Sequence, residues 1–275
     1  MNQFNNSENM YRSKIVTVIG IPFDTYSSFM KGPALAPKKI RESFHSEATN
    51  KCTEGKIDLG EETRFIDKGD IEITDYLADI EQSITTFLET GTRIISLGGD
   101  HSITYPIVRA FNKKFDNLNI LQLDAHPDLY HEFDGNPYSH ACPFARIMEE
   151  NLVDRLVQIG IRSVTPHLKQ QVERFNVEMI DMKSWDQSIK IEFEGPLYLS
   201  LDLDVLDPAF TPGVSHHEPG GLTSREVISI IQNLNVTIVG ADIVELNPNR
   251  DPSGITAAVA AKFLKEISGK MLEDI

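Results

Sequence analysis

Cysteine is scarce, with only Cys52 and Cys142 in 275 residues. Two isolated thiols make no disulfide framework in a chain of this length, and they fit a reducing compartment. No window approaches about eighteen consecutive apolar residues, which excludes a membrane-spanning helix and, with it, a membrane partner. The segment Met1 to Lys14 lacks the apolar run of a secretory signal. It also lacks the arginine-rich, acid-poor character of a transit peptide. It reads as a flexible tail over 1–13, and the chain reads as cytoplasmic. Positive charge is short too, with 26 Lys and Arg against 41 Asp and Glu and a net charge of −15. Phosphate backbones need clustered basic residues, so nucleic acid is excluded as a partner. An acidic chain suits cations, although the same charge also serves solubility. Low-complexity tracts, linkers and internal repeats are absent, so 1–275 reads as a single domain.

What the chain does have is alternation. Apolar, β-branched runs at 14–21, 93–97, 119–123, 156–161, 177–181, 196–203 and 236–245 read as strands. Between them lie helical patterns at 36–44, 74–90, 103–115, 144–150, 164–175, 223–234 and 255–267. Thr74 or Asp75 can cap the second helix, and Gly91 ends it. Thr223 with Glu226 has the spacing of a capping box. Strand and helix in strict alternation imply a mostly parallel sheet with helices on both faces.

In such sheets ligands bind beyond the carboxyl ends of the strands. Four predicted strands end in acids or histidine there. RIISL runs into Gly98-Gly99-Asp100-His101-Ser102, and NILQL into Asp124-Ala125-His126-Pro127-Asp128. YLSL runs into Asp202-Leu203-Asp204, and ADIV into Glu245. On extended backbone, residues two apart point the same way, so Asp124, His126 and Asp128 can face one point, as can Asp202 and Asp204. Crowded carboxylates and imidazoles repel unless a counter-charge is present, and a divalent cation supplies it. A set of Asp and His without thiolate favours a borderline-hard metal, and Mn²⁺ fits it better than a structural zinc. Two metals bridged by carboxylates fit this set of ligands better than one, and such pairs activate a water. Each motif alone is ordinary: Asp-x-His-x-Asp is often a solvated loop, and Gly-Gly marks many turns. Their coincidence at neighbouring strand ends carries the weight.

GGDHS at 98–102, DAHPD at 124–128 and SLDLDVLDP at 200–208 resemble the signature motifs of the ureohydrolase superfamily, which holds arginases and agmatinases. The resemblance covers nearly the whole chain. The stretches DAHPDLYHEFDGNPYSHACPFARIME, LDPAFTPGVSHHEPGGL and SSFMKGPALAPKKIRESF look most like the plant-type arginases. It implies a three-layer α/β/α sandwich on a parallel, eight-stranded sheet, assembled as a homotrimer or homohexamer.

It also implies two Mn²⁺ per chain, with Ni²⁺ or Co²⁺ as substitutes. His101, Asp124, Asp128 and Asp202 would hold one, and Asp124, His126, Asp202 and Asp204 the other. His140 matches a loop histidine that shuttles protons. Glu245 matches a glutamate that pairs with a substrate guanidinium, a planar cation suited to two parallel N–H bonds. Asp128 would accept a hydrogen bond from the attacking water. His216 lies in the GVSH stretch and receives no role.

The implied reaction releases urea from a small guanidino substrate. L-Arginine is the expected one, and agmatine, guanidine and guanidinobutyrate are the alternatives. A carboxylate on the substrate would be met by donors among Asn136, Tyr138, Ser139, Arg162 and Ser163. Against this, Glu132 and Asp134 put negative charge in the same loop. The loop after DAHPD differs from that of animal arginases, so rules from those enzymes do not transfer. Two other classes stand beside this one: a single-zinc deacetylase-like enzyme, which would not need Glu245, and a non-catalytic relative, which would normally have lost some ligands.

Overall fold

The structure is a computed structural model, and it describes residues 14–273. The tail expected over 1–13 lies outside the described residues. Among those described, eight strands form one sheet. They are β1 Val16–Gly20, β2 Phe65–Asp70, β3 Arg93–Leu97, β4 Asn119–Leu123, β5 Arg155–Ile161, β6 Glu178–Asp181, β7 Leu197–Asp202 and β8 Ile238–Val244. Their spatial order is β2-β1-β3-β8-β7-β4-β5-β6. All pairings are parallel. The helices are α1 Ala36–Phe44, α2 Tyr76–Glu89, α3 Thr104–Asn112, α4 Pro143–Glu149, α5 Pro166–Arg174, α6 Ser224–Asn233 and α7 Ile255–Leu272.

The central strands β1, β3, β4, β7 and β8 are buried along their whole length. Side chains alternate between the faces of a strand, so each apolar run feeds two cores. Val16, Val18, Leu121 and Leu123 join one cluster, together with Ile40 of α1, Ile231 of α6 and Phe263 of α7. Ile19 and Ile120 point the other way, toward Ile84 of α2, Phe111 of α3 and Phe144 of α4. The result is a three-layer α/β/α sandwich, as expected. Each fully buried Ile, Leu or Phe contributes about 1.5–3 kcal/mol. Among the described residues, no helix is long and apolar enough to cross a membrane.

The capping expectations hold. Asp75 accepts from Leu77 N at 3.0 Å and Ala78 N at 2.8 Å. Thr223 and Glu226 form the reciprocal capping box. Most element ends shift by one to three residues, and two elements differ more. Edge strand β2 (FIDKGD) has no apolar alternation. It is held by β1 and by Arg41 of α1, which pairs with Asp67 at 2.7 Å and with Asp70. The last helix runs past Ile267 and Gly269 to Leu272, because Met271 and Leu272 are buried.

Because the strands are parallel, the ends of β3, β4, β7 and β8 open on one side. Gly99 lets the backbone there close up. A Cβ at that position would lie 1.7 Å from Phe23 O. Asp100 N instead donates to Phe23 O at 2.8 Å, and Glu245 N to Gly99 O at 3.0 Å. The turn carrying His101 is thereby pinned between the ends of β1 and β8.

Candidate metal centre

The expected ligands converge, but strand alternation is only part of the reason. β4 ends at Leu123, and Asp128 adopts a left-handed backbone with φ 51°. Asp202 is the last residue of β7 and caps the short 3-10 turn Leu203–Val205, where its side chain accepts from Asp204 N at 2.8 Å. Turns, rather than extended backbone, therefore bring these residues together. His126 N donates to Asp124 Oδ1 at 2.6 Å, and Ala125 N to Asp204 Oδ1 at 3.1 Å.

Two groups of potential ligands result, with atoms within 4.8 Å of one another: His101, Asp124 and Asp202, and Asp124, His126 and Asp204. Asp124 belongs to both. Asp128 joins the first, with Oδ2 at 3.1 Å from His101 Nδ1. His126 Nδ1 lies 3.0 Å from Asp204 Oδ2.

The hydrogen bonds around His101 test whether a cation fits. Its Nε2 meets Ser200 Oγ at 2.9 Å, and Ser200 Oγ donates to Asp242 Oδ1 at 2.8 Å. Tyr198 and Thr104 donate to the other oxygen of Asp242 at 2.7 and 2.8 Å. The single serine proton is thus spent on Asp242, and His101 Nε2 must be the N–H donor. Its Nδ1 lone pair then faces Asp124 at 3.1 Å, Asp128 at 3.1 Å and Asp202 at 3.3 Å. That buried Nδ1 makes no hydrogen bond. An acceptor aimed among acceptors marks the place of a cation, and the Nε2–H tether is how metal-binding histidines are oriented.

The electrostatics agree. Without a cation a proton would take its place on Nδ1: burial works against a charge on His101, yet Asp124, Asp128 and Asp202 drive its pKa well above the usual value. Burial and then Asp204 raise Asp202 well above the carboxylate range. Burial and then Asp124 push Asp128 up to about 6. The cluster holds more negative charge than its surroundings can solvate, which divalent cations would relieve.

His140 and Glu245 stand beside this cluster as a pair. His140 Nδ1 is 2.8 Å from Glu245 Oε1, which also accepts from His101 N at 2.9 Å. One carboxylate oxygen is therefore committed. Oε1 thus meets both His140 Nδ1 and His101 N. Glu245 itself sits at φ 66°, uncommon for a non-glycine residue. Burial opposes charge on His140, but Glu245 holds its pKa up at about 9.

The loop residues divide. Asn136 Oδ1 accepts from Tyr138 N at 2.9 Å, which leaves its Nδ2 to donate. Ser139 is buried and accepts from Ala141 N at 3.4 Å. Glu132 and Asp134 are exposed. Arg162 is not available to a substrate, because its guanidinium is spent on the carbonyls of Gly160, Asp204, Val205, Leu206 and Glu218.

The sequence reading missed several partners. Ser200 and Asp242 lie opposite each other in the β7–β8 register, two residues before Asp202 and three before Glu245. Strand period could have found Ser200. Ser28, whose Oγ is 2.8 Å from His140 Nε2, carries no local signal. His216 packs its ring 6.0 Å from that of His126 and 5.4 Å from that of His140, and its Nε2 is buried without a partner.

Comparison with known proteins follows the same lines. The family model "Arginase family" matches residues 14–269. An arginase of Medicago truncatula is 45% identical, covering 93% of this chain and 81% of its own. The solved structure of arginase from Medicago truncatula superposes with a TM-score of 0.88 at 43% identity, over 93% of this chain and 87% of the other. An agmatinase of Bacillus anthracis is 32% identical, over 96% of this chain and 94% of its own. The expectation of a cytoplasmic protein is overturned here. The Medicago truncatula relative is named a mitochondrial arginase, and a polar N-terminal stretch does not outweigh that. The fold, the ligand constellation and these likenesses agree: the chain belongs to the arginase family.

Proposed function

We propose that the chain hydrolyses L-arginine to urea and L-ornithine at a binuclear manganese centre, as one catalytic domain assembled into a homotrimer or homohexamer. The observation that carries this reading is the sharing of Asp124 between two ligand groups that lie beside the His140–Glu245 pair. His101, Asp124, Asp128 and Asp202 would hold one cation, and Asp124, His126, Asp202 and Asp204 the other. The donor set suits Mn²⁺, and Ni²⁺ or Co²⁺ would be tolerated. When bound, two such cations neutralise the carboxylates and bring a water toward ionisation near neutral pH.

The chain's own groups do the rest. Glu245 Oε2 accepts an N–H of the guanidinium and fixes its plane, while Oε1 stays with His140 and His101. Asp128 accepts a hydrogen bond from the water that attacks the guanidinium carbon. His140 rests protonated at neutral pH beside Glu245. It supplies a proton to the departing nitrogen, which cannot leave as an amide anion. Asn136 and Ser139 present donors toward the carboxylate end of the substrate.

The substrate choice rests on the 45% identity to a plant arginase against 32% to an agmatinase. It also rests on the exposure of Glu132 and Asp134, whose charge would repel a carboxylate from within the pocket. The test is kcat/KM for L-arginine and agmatine under one manganese loading. A higher value for L-arginine is expected. A higher value for agmatine, or turnover of free guanidine alone, would overturn the substrate while leaving the family intact.

A further inference from the structure

His216 carries a ring nitrogen that no group of the chain meets. Its Nε2 is buried and makes no hydrogen bond among the described residues. The ring centroid lies 6.0 Å from that of His126, a member of one ligand group, and 5.4 Å from that of His140, the partner of Glu245. A third ring, that of Phe29, packs 5.7 Å away and is 63% exposed. The imidazole of His216 therefore stands between the ligand cluster and a residue open to solvent. An unmet buried ring nitrogen is costly, so one kept at the edge of a ligand cluster points to a partner that arrives from outside the chain.

The backbone fixes this placement. The segment after β7 runs antiparallel to the residues that follow β8. Val214 pairs with Leu246, and Asn247 N donates to Gly213 O at 2.8 Å. Asn247 Nδ2 donates to Ser215 Oγ at 2.9 Å, and Gly213 N donates to Thr256 Oγ1 of α7 at 2.7 Å. Gly213 has no room for a side chain against Asp251 and Thr256, so the segment lies flat on its neighbours. Ser215 is buried. These ties hold the three residues before His216 against the residues around Glu245, and the imidazole keeps a fixed relation to that carboxylate.

We propose that His216 Nε2 accepts an N–H of the substrate's guanidino group, as a second acceptor beside Glu245. The inference rests on the reading of the site as one for guanidino compounds. A guanidinium offers only N–H donors, so any group that meets it must accept. With its proton on Nδ1, the imidazole presents a lone pair at Nε2. Two acceptors on separate elements, one after β8 and one after β7, fix the plane of the cation more firmly than a single carboxylate can. The contact also separates substrate from product. L-Ornithine lacks the guanidino group, so it leaves Nε2 unmet and gains nothing from His216.

Two variants of the metal-loaded full chain test this, His216→Phe and His216→Gln. Phenylalanine keeps the ring packing and removes Nε2, whereas glutamine can return an acceptor to about the same place. The readouts are metal content, kcat/KM for L-arginine, and the inhibition constants of guanidinium chloride and of L-ornithine against it. For His216→Phe, metal content and the L-ornithine constant should match the parent. Its kcat/KM should fall roughly ten- to a hundredfold, and its guanidinium constant should rise about as much, the range for a hydrogen bond to a charged partner. His216→Gln should recover most of both losses. Parental values throughout in His216→Phe would overturn the contact. Equal weakening of guanidinium and L-ornithine would overturn it as a general distortion, and weakening of L-ornithine alone would move Nε2 to the carboxylate end. Loss of a metal ion would make His216 a ligand instead. A His216→Gln protein no better than His216→Phe would assign the loss to packing and overturn the hydrogen bond. Failure of the parent to release urea from any guanidino compound is a separate result, and it would remove the reading of the site together with the contact.

Discussion

His140 Nδ1 lies 2.8 Å from Glu245 Oε1, and the same oxygen accepts His101 N, so one carboxylate oxygen ties the loop histidine to the turn that carries His101. The pairing has an energetic sign. Burial lowers the pKa of His140, but Glu245 more than offsets this and holds it at about 9, above the ordinary value of 6.5. A histidine raised on folding adds stability that is complete below about pH 6.5 and is lost as pH rises through about 9. At about 1.4 kcal/mol per unit, the pair contributes on the order of 3 kcal/mol. Urea unfolding of the metal-free parent and His140→Gln should therefore differ most at pH 6 and least near pH 10. A difference independent of pH would contradict the pairing.

The tether on His101 predicts a second effect. With Ser200→Ala, Nε2 loses its acceptor and the orientation of Nδ1 is no longer imposed. Losses of this kind cost roughly 10–100-fold in metal affinity. Titration calorimetry with Mn²⁺ should show that weakening at one of two sites. Parental affinity at both would mean that Ser200 does not fix the ring.

Gly99 makes a third case. A methyl group there meets Phe23 O at 1.7 Å, so backbone must move. Forced insertions of this kind cost about 1–3 kcal/mol or more. Gly99→Ala should lower the urea midpoint and weaken metal binding together, because the displaced segment carries His101. A folded Gly99→Ala protein with full metal content would show that the segment gives way elsewhere.

Much of this was legible in the amino-acid order because several levels agree. The fully buried central strands announce themselves as apolar β-branched runs, and β3, β4 and α1 have the boundaries their patterns predict. Asp75 and Thr223 cap where local chemistry says they should. The convergence of these acids and histidines was legible because parallel strands deliver their last residues to one side. What was not legible is tertiary. β2 is a strand because β1 and Arg41 make it one, not because FIDKGD favours extension. Arg162 looked like a donor for substrate until five backbone carbonyls claimed it. Ser28 lies 112 positions from His140, and no local pattern connects them.

The central claim is that Asp124 belongs to two metal sites at once. Its most direct test is the metal content, by mass spectrometry, of parent and Asp124→Asn after identical dialysis against Mn²⁺. The parent should carry two manganese per chain. Asp124→Asn should lose most of both, because a neutral amide in place of the shared carboxylate withdraws a ligand from each site. Two manganese retained in Asp124→Asn, or a single ion in the parent, would contradict the account.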